Sequence, residues 1–166
     1  MKIELLDLTF NREYFYIQKE SIVEKITFNN RTLYSKFEKT TTTIDNALLQ
    51  QHYANKISLA IPLIENNLID YIVIEYQQND WKSFYSLLQH LLKSLDILTF
   101  FSYYNIEKEL FQLFIPKNKI KLDLAYEEVE NIKHLLELKS KKSYKIYPNK
   151  NLPKNLNIIT LPNKKV

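Results

Sequence analysis

The chain runs to 166 residues without a single glycine, where average usage would supply about a dozen. Tight phosphate-cradling loops, strained nucleophile turns and close backbone approaches to a ligand all draw on glycine's freedom. A Walker loop, a dinucleotide-binding fingerprint and a G-x-S-x-G elbow are therefore excluded. Cysteine is absent too, which removes thiol nucleophiles, disulfides and cysteine-ligated zinc. No segment approaches 18 uninterrupted apolar residues, the length a membrane span needs. Met1–Phe10 carries Glu4 and Asp7 and lacks a small-residue cleavage site, unlike a signal peptide. The expectation is a cytoplasmic protein.

Hydrophobic residues make up 45% of the chain, with 12 Tyr and 9 Phe, as in a sheet-rich core. Periodicity divides the chain into one small element and one ordered core within a single domain, 1–166. Residues 14–18, 21–28 and 32–37 read as short strands, with Asn29-Asn30 turning the chain. Thr43 is placed to cap a helix over 44–54. Residues 57–64 form a strand that Pro62 pushes toward a sheet edge. Together, 14–64 make an N-terminal β/helix element.

Residues 68–162 then read β-α-β-β-α-β. The strands are 68–77, 97–104, 109–115 and 143–147, and a short strand follows at 157–161. The helices are 81–95, capped by Asp80, and 121–138. Trp81, Phe84, Leu88, Leu91, Leu122, Val129, Ile132 and Leu136 fall on apolar helix faces, with Ile72 and Ile74 beneath them. The fold class is α+β. A split βαβ of this kind has the order of ferredoxin-like and RNA-recognition-type domains, with helices covering one sheet face.

Few side chains are arranged for chemistry. Strand 69–77 ends Glu75-Tyr76-Gln77. Positions i and i+2 share a side of a strand, and two acids so placed could hold a divalent ion. Gln77 is neutral and Asp70 falls on the opposite side. Glu75 is thus a lone catalytic candidate, read as a solvent-exposed strand end, and neither metal nor cofactor is expected. Hairpin 102–115 has no histidine, and His52, His90 and His134 lie on separate helices without ligand spacing. Tyr71, Tyr76, Phe111 and Phe114 occupy the strands on which RNA-recognition sheets stack bases, but without that family's basic-glycine-aromatic signature they read as core.

Charge is the remaining signal. Net charge is +4, with −3 over residues 1–80 and +7 over 81–166. After Glu137 there is no acid, while Lys139, Lys141, Lys142, Lys145, Lys150, Lys154, Lys164 and Lys165 follow. Such a run can attract a polyanion, but it lacks the arginine that reads phosphates bidentately. The expectation is a non-enzymatic binding or adaptor domain that engages a protein partner, in preference to nucleic acid, through this Lys-rich C-terminal side. Nucleic acid, if bound, would be held weakly and in a salt-dependent way through Lys139, Lys141, Lys142, Lys145, Lys150 and Lys154. The N-terminal element 14–37 could also pair with another chain.

Three stretches, Tyr14–Phe37, Ile69–Gln77 and Ile146–Pro162, resemble an uncharacterised domain-of-unknown-function family of small proteins from epsilon-class proteobacteria. The likeness spans 14–162, and its most specific piece is Y-P-N-x-x-L-P-x-x-x-N-I-I-T-L-P. More distantly the chain resembles archaeo-eukaryotic-type primase-polymerase domains. Glu75 and Gln77 stand at that family's acid-x-acid strand, and Gln112 stands where its hairpin carries histidine. Ile146–Pro148 and Ile158–Pro162 stand at its closing segments. That resemblance implies a diverged metal-dependent nucleotidyltransferase centred on Glu75, or a fold retained without catalysis, since the second acid, the histidine and the hairpin glycine are missing.

Overall fold

In the computed structural model, which describes residues 1–166, asparagine does the turning that glycine does in most chains. Nine residues adopt positive φ, and six of these are Asn29, Asn30, Asn55, Asn66, Asn67 and Asp96. A short polar side chain that bonds locally tolerates this region best. Asn29-Asn30 joins β4 (Glu24–Phe28) to β5 (Arg31–Ser35), with Phe28 facing Arg31. Asn66-Asn67 joins β8 (Ile64–Glu65) to β9 (Leu68–Tyr76), with Glu65 facing Leu68. Positive φ at both central residues matches the twist of two-residue hairpins. Asn55 and Asp96 stand just beyond helices α1 (Asn46–Tyr53) and α2 (Trp81–Ser94). After α2, the Asp96 and Ile97 amides bond back to the Lys93 and Leu92 carbonyls, closing the helix as glycine usually does.

The central sheet has the order β10 (Phe101–Asn105), β11 (Leu110–Lys121), β9, β12 (Lys145–Tyr147), all antiparallel, with β8 alongside the start of β9. Strand β9 is buried on both sides, and its alternation separates two cores. Ile72, Ile74 and Tyr76 pack with Phe84, Leu88, Leu91 and Leu92 of α2 and with Val129, Ile132 and Leu136 of α3 (Leu122–Lys139). Tyr71 and Val73 face the other way. They meet Phe15, Leu59, Ile61 and Ile159 of a second sheet, ordered β13 (Ile158–Thr160), β7 (Leu59–Pro62), β3 (Phe15–Gln18), β6 (Phe37–Thr40). The hairpin of β1 (Lys2–Leu5) and β2 (Leu8–Asn11) adds Ile3, Leu5, Leu8 and Phe10 to this core. Helices thus cover one face of the central sheet and N-terminal strands cover the other. Tyr71, Tyr76, Phe111 and Phe114 are all buried, on both sides. Of the expected helix core only Trp81 is half-buried, stacked on Tyr104 at 4.4 Å between ring centroids.

Three local expectations are corrected. The cap of α1 is Asp45, whose carboxylate accepts from the Leu48 amide at 2.8 Å, because the helix starts at Asn46 and Thr43 lies two residues upstream of the cap. Asp80 stands at the N-cap position of α2 but its side chain makes no capping bond: its carboxylate instead accepts from the Tyr76 hydroxyl at 2.6 Å and from the Lys142 ammonium at 2.5 Å. Strand β7 is not an edge but lies between β13 and β3. The Leu63 amide and Leu59 carbonyl bond toward β13, so by alternation the Pro62 nitrogen faces the β3 side. There β3 pairs only with Leu59 and Ala60, and a missing donor costs nothing.

One charge is locked inside this frame. Arg12, following β2, has a side chain only 1% exposed. Its guanidinium donates to the Pro62, Leu63 and Asn11 carbonyls at 2.7, 3.1 and 2.7 Å. It also donates to Asp70 at 2.9 Å and Glu65 at 3.1 Å. Buried charge is tolerable when paired and fully hydrogen-bonded, and Arg12 ties β2, the β7–β8 link and β9 together.

Candidate functional site

Glu75 is not the exposed strand end expected of it but is half-buried. It sits opposite Gln112 on β11 and Lys145 on β12. The Gln112 amide nitrogen donates to the Glu75 carboxylate at 3.0 Å and to the Thr160 carbonyl of the second sheet at 2.9 Å. Burial pushes the Glu75 carboxyl above its ordinary range, while the Gln112 hydrogen bond and the Lys145 charge pull it down. The Gln77 side chain makes no bond to it. The strand ends at Tyr76, and the Gln77 amide bonds the Lys108 carbonyl at 3.1 Å. A cleft of about 230 Å³ opens here between Glu75, Gln77, Ser143, Tyr144 and Lys145. Its one carboxylate is tied to an amide. Nowhere in the fold do three His, Asp or Glu side chains converge.

Most of the lysine run is engaged by acceptors within the fold, and Lys145 and Lys150 line one cleft together with Lys133. Lys142 pairs with Asp80 at 2.5 Å, Lys150 with Glu130 at 3.4 Å and Lys165 with Asp7 at 2.7 Å. Lys154 donates to the Asn67 side chain at 2.6 Å, and Lys145 lies across from Glu75. Lys139, in the last turn of α3, and Lys141 are exposed. The fold spreads these cations over the central sheet, α3 and two hairpin turns. No helix is long and apolar enough to cross a membrane.

His52, isolated in the sequence, proves to be a buried staple. Its Nδ1 accepts from the Leu59 amide at 3.2 Å, and its Nε2 lies 2.9 Å from the Leu161 carbonyl and 3.2 Å from that of Pro162. This set requires neutral imidazole with the proton on Nε2. Burial, helped by nearby Lys108, holds its pKa below the ordinary histidine value. A pKa depressed by folding means that the unfolded chain binds the proton more readily. Stability is therefore full above the unfolded pKa of about 6.5 and is lost as pH falls below it. Glu75, with a raised pKa, acts in the opposite sense. Denaturant titrations from pH 7.5 to 5 should thus show the wild type weakening by more than a His52→Gln variant does. Parallel profiles would show that His52 is not held neutral.

The feature with least structural work is the arm formed by β4 and β5. The chain 15–28 runs antiparallel to 31–40. Its first half enters the second sheet through β3 and β6, and its far half leaves that sheet as β4–β5, paired only with itself. Within Glu24–Ser35 only Ser35 is buried, and neither core contains an arm residue. Ile22 is 56% exposed, Val23 44% and Tyr34 58%. Beside the arm lies a groove of about 460 Å³ lined by Ile22, Leu33 and Phe37 on one side and by Tyr147, Leu152, Leu156 and Ile158 on the other. The far wall is a proline-asparagine loop held by Asn157, which is fully buried. Asn157 accepts from the Asn149 amide at 2.6 Å and donates to the Asn149 and Pro153 carbonyls at 3.2 and 3.1 Å. This accounts physically for the Y-P-N…L-P…N spacing. A single bond, from the Arg31 guanidinium to the Asn151 carbonyl at 2.6 Å, links arm to loop.

Residues 1–70 match the family DUF1882, described as a domain of unknown function. The matched stretch includes the arm and the strands that carry it. No curated protein matches the chain.

Proposed function

We propose that this chain is a non-enzymatic binding domain that engages a protein partner through the β4–β5 arm and the groove beside it. The carrying observation is an arm that contributes nothing to either core yet presents Ile22 and Tyr34 to solvent at the rim of an apolar groove, with Val23 exposed beside Ile22 in the chain. A lone two-stranded hairpin is marginal in water, and contiguous exposed apolar surface marks interaction sites. The strand order β10-β11-β9-β12, with both helices on one face, supports reading the core as ferredoxin-like. On that reading the distant likeness to primase-polymerases is one of scaffold. Gln112 bonded to Glu75 occupies the place where two acids and a histidine would be needed, and a single amide-bound carboxylate is a poor anchor for two ions.

Excising the arm tests this. A variant in which a short turn joins Lys19 to Lys36 should keep its thermal midpoint within a few degrees and lose the protein that co-purifies with the wild type from its native cell. A collapsed melt would make the arm structural, and an unchanged set of co-purifying proteins would place the interface elsewhere.

A further inference from the structure

We infer that the groove beside the arm receives an extended protein segment in which apolar side chains alternate with acidic ones. This rests on the protein-binding reading above and adds the chemistry of the partner. The apolar half follows from the lining, where Ile22, Leu33, Leu152, Leu156 and Ile158 are aliphatic. The acidic half follows from charge. Lys36 is the one charged residue lining the groove, and it is exposed. Arg31, also exposed at the arm's turn, bonds only a carbonyl and leaves most of its planar fork free for a carboxylate. The extended shape follows from the edges. Strands β5 and β6 are each hydrogen-bonded on one side only, so an added strand can use their open backbone groups while alternate side chains enter the groove. Single-stranded nucleic acid would want a run of aromatic platforms and several cations, whereas here Tyr34, Phe37 and Tyr147 are interspersed with five aliphatic side chains and Lys36 is the one cation in the lining.

The probes are two short fluorescein-labelled peptides, one alternating leucine and valine with glutamate, the other carrying lysine in place of every glutamate, and an oligothymidylate. Binding is read by anisotropy at low salt. The acidic peptide should bind at least about tenfold more tightly than the basic one, a difference of about 1.4 kcal/mol. Combining Arg31→Glu with Lys36→Glu should reverse that preference without moving the thermal melt, since both side chains are exposed. Leu33→Asp should abolish binding of either peptide. Equal binding of both peptides, lost with Leu33→Asp, would overturn the acidic assignment while leaving the groove as a protein site. Binding of neither peptide would overturn both readings, as would oligothymidylate displacing the acidic peptide. A dimer in sedimentation whose contact blocks the groove would assign it to a second copy of this chain and overturn the inference.

Discussion

Arg12→Ala is expected to cost about 3–5 kcal/mol, the penalty for removing one partner from a buried charge network. The substitution leaves Asp70 and Glu65 facing each other without their cation, and strands the Pro62 and Leu63 carbonyls. Since each kcal/mol moves the midpoint of a domain this size by about 2–4 °C, the melt should fall by roughly 10 °C. Arg12→Lys should recover only part of that, because one ammonium cannot reproduce a fork that reaches three carbonyls and two carboxylates. A melt that Arg12→Ala leaves in place would mean the second sheet does not depend on this knot.

The opposite face of the central sheet has its own test. Leu88 is wholly buried between α2 and strands β9 and β11. Leu88→Ala should cost about 2–5 kcal/mol, the range for leucine truncations that leave a cavity. Gln89→Ala, one position on and exposed, should change stability by less than about 0.5 kcal/mol. Equal effects of the two substitutions would refute the packing of α2 on this sheet.

The elements that were legible in the sequence are those written by local pattern. The apolar positions from Trp81 to Leu95 read as a helix because their period is helical, and β9 reads as a strand because it is a short apolar run bounded by turn residues. The Asn29-Asn30 turn was legible for the same reason, since the side chains that permit positive φ stand at the turn itself. What escaped depends on distant partners. Arg12 sits in the polar stretch Asn11-Arg12-Glu13, and its carboxylates lie 53 and 58 positions away. Glu75 reads as an exposed strand end because its cover comes from Gln112 and, through that amide, from Thr160. The β1–β2 hairpin turns at Leu6-Asp7, with Leu6 itself at positive φ, so no asparagine announces it. The lysine run is plain in the sequence because its members are neighbours in the chain, whereas the pairing of Lys142, Lys150 and Lys165 with three separate acids depends on the fold. The strands of the arm were readable, but their lack of cover is a property of the whole fold.

Contact from the arm itself tests the central claim most directly. A photo-crosslinking amino acid placed at Tyr34 or Ile22 in the native cell should capture a protein adduct. The same group at Leu138, 71% exposed on α3, or at Lys141 should capture none above background. Adducts at Leu138 or Lys141 with none at Tyr34 and Ile22, or crosslinks to nucleic acid alone, would contradict the assignment of the arm as the binding surface.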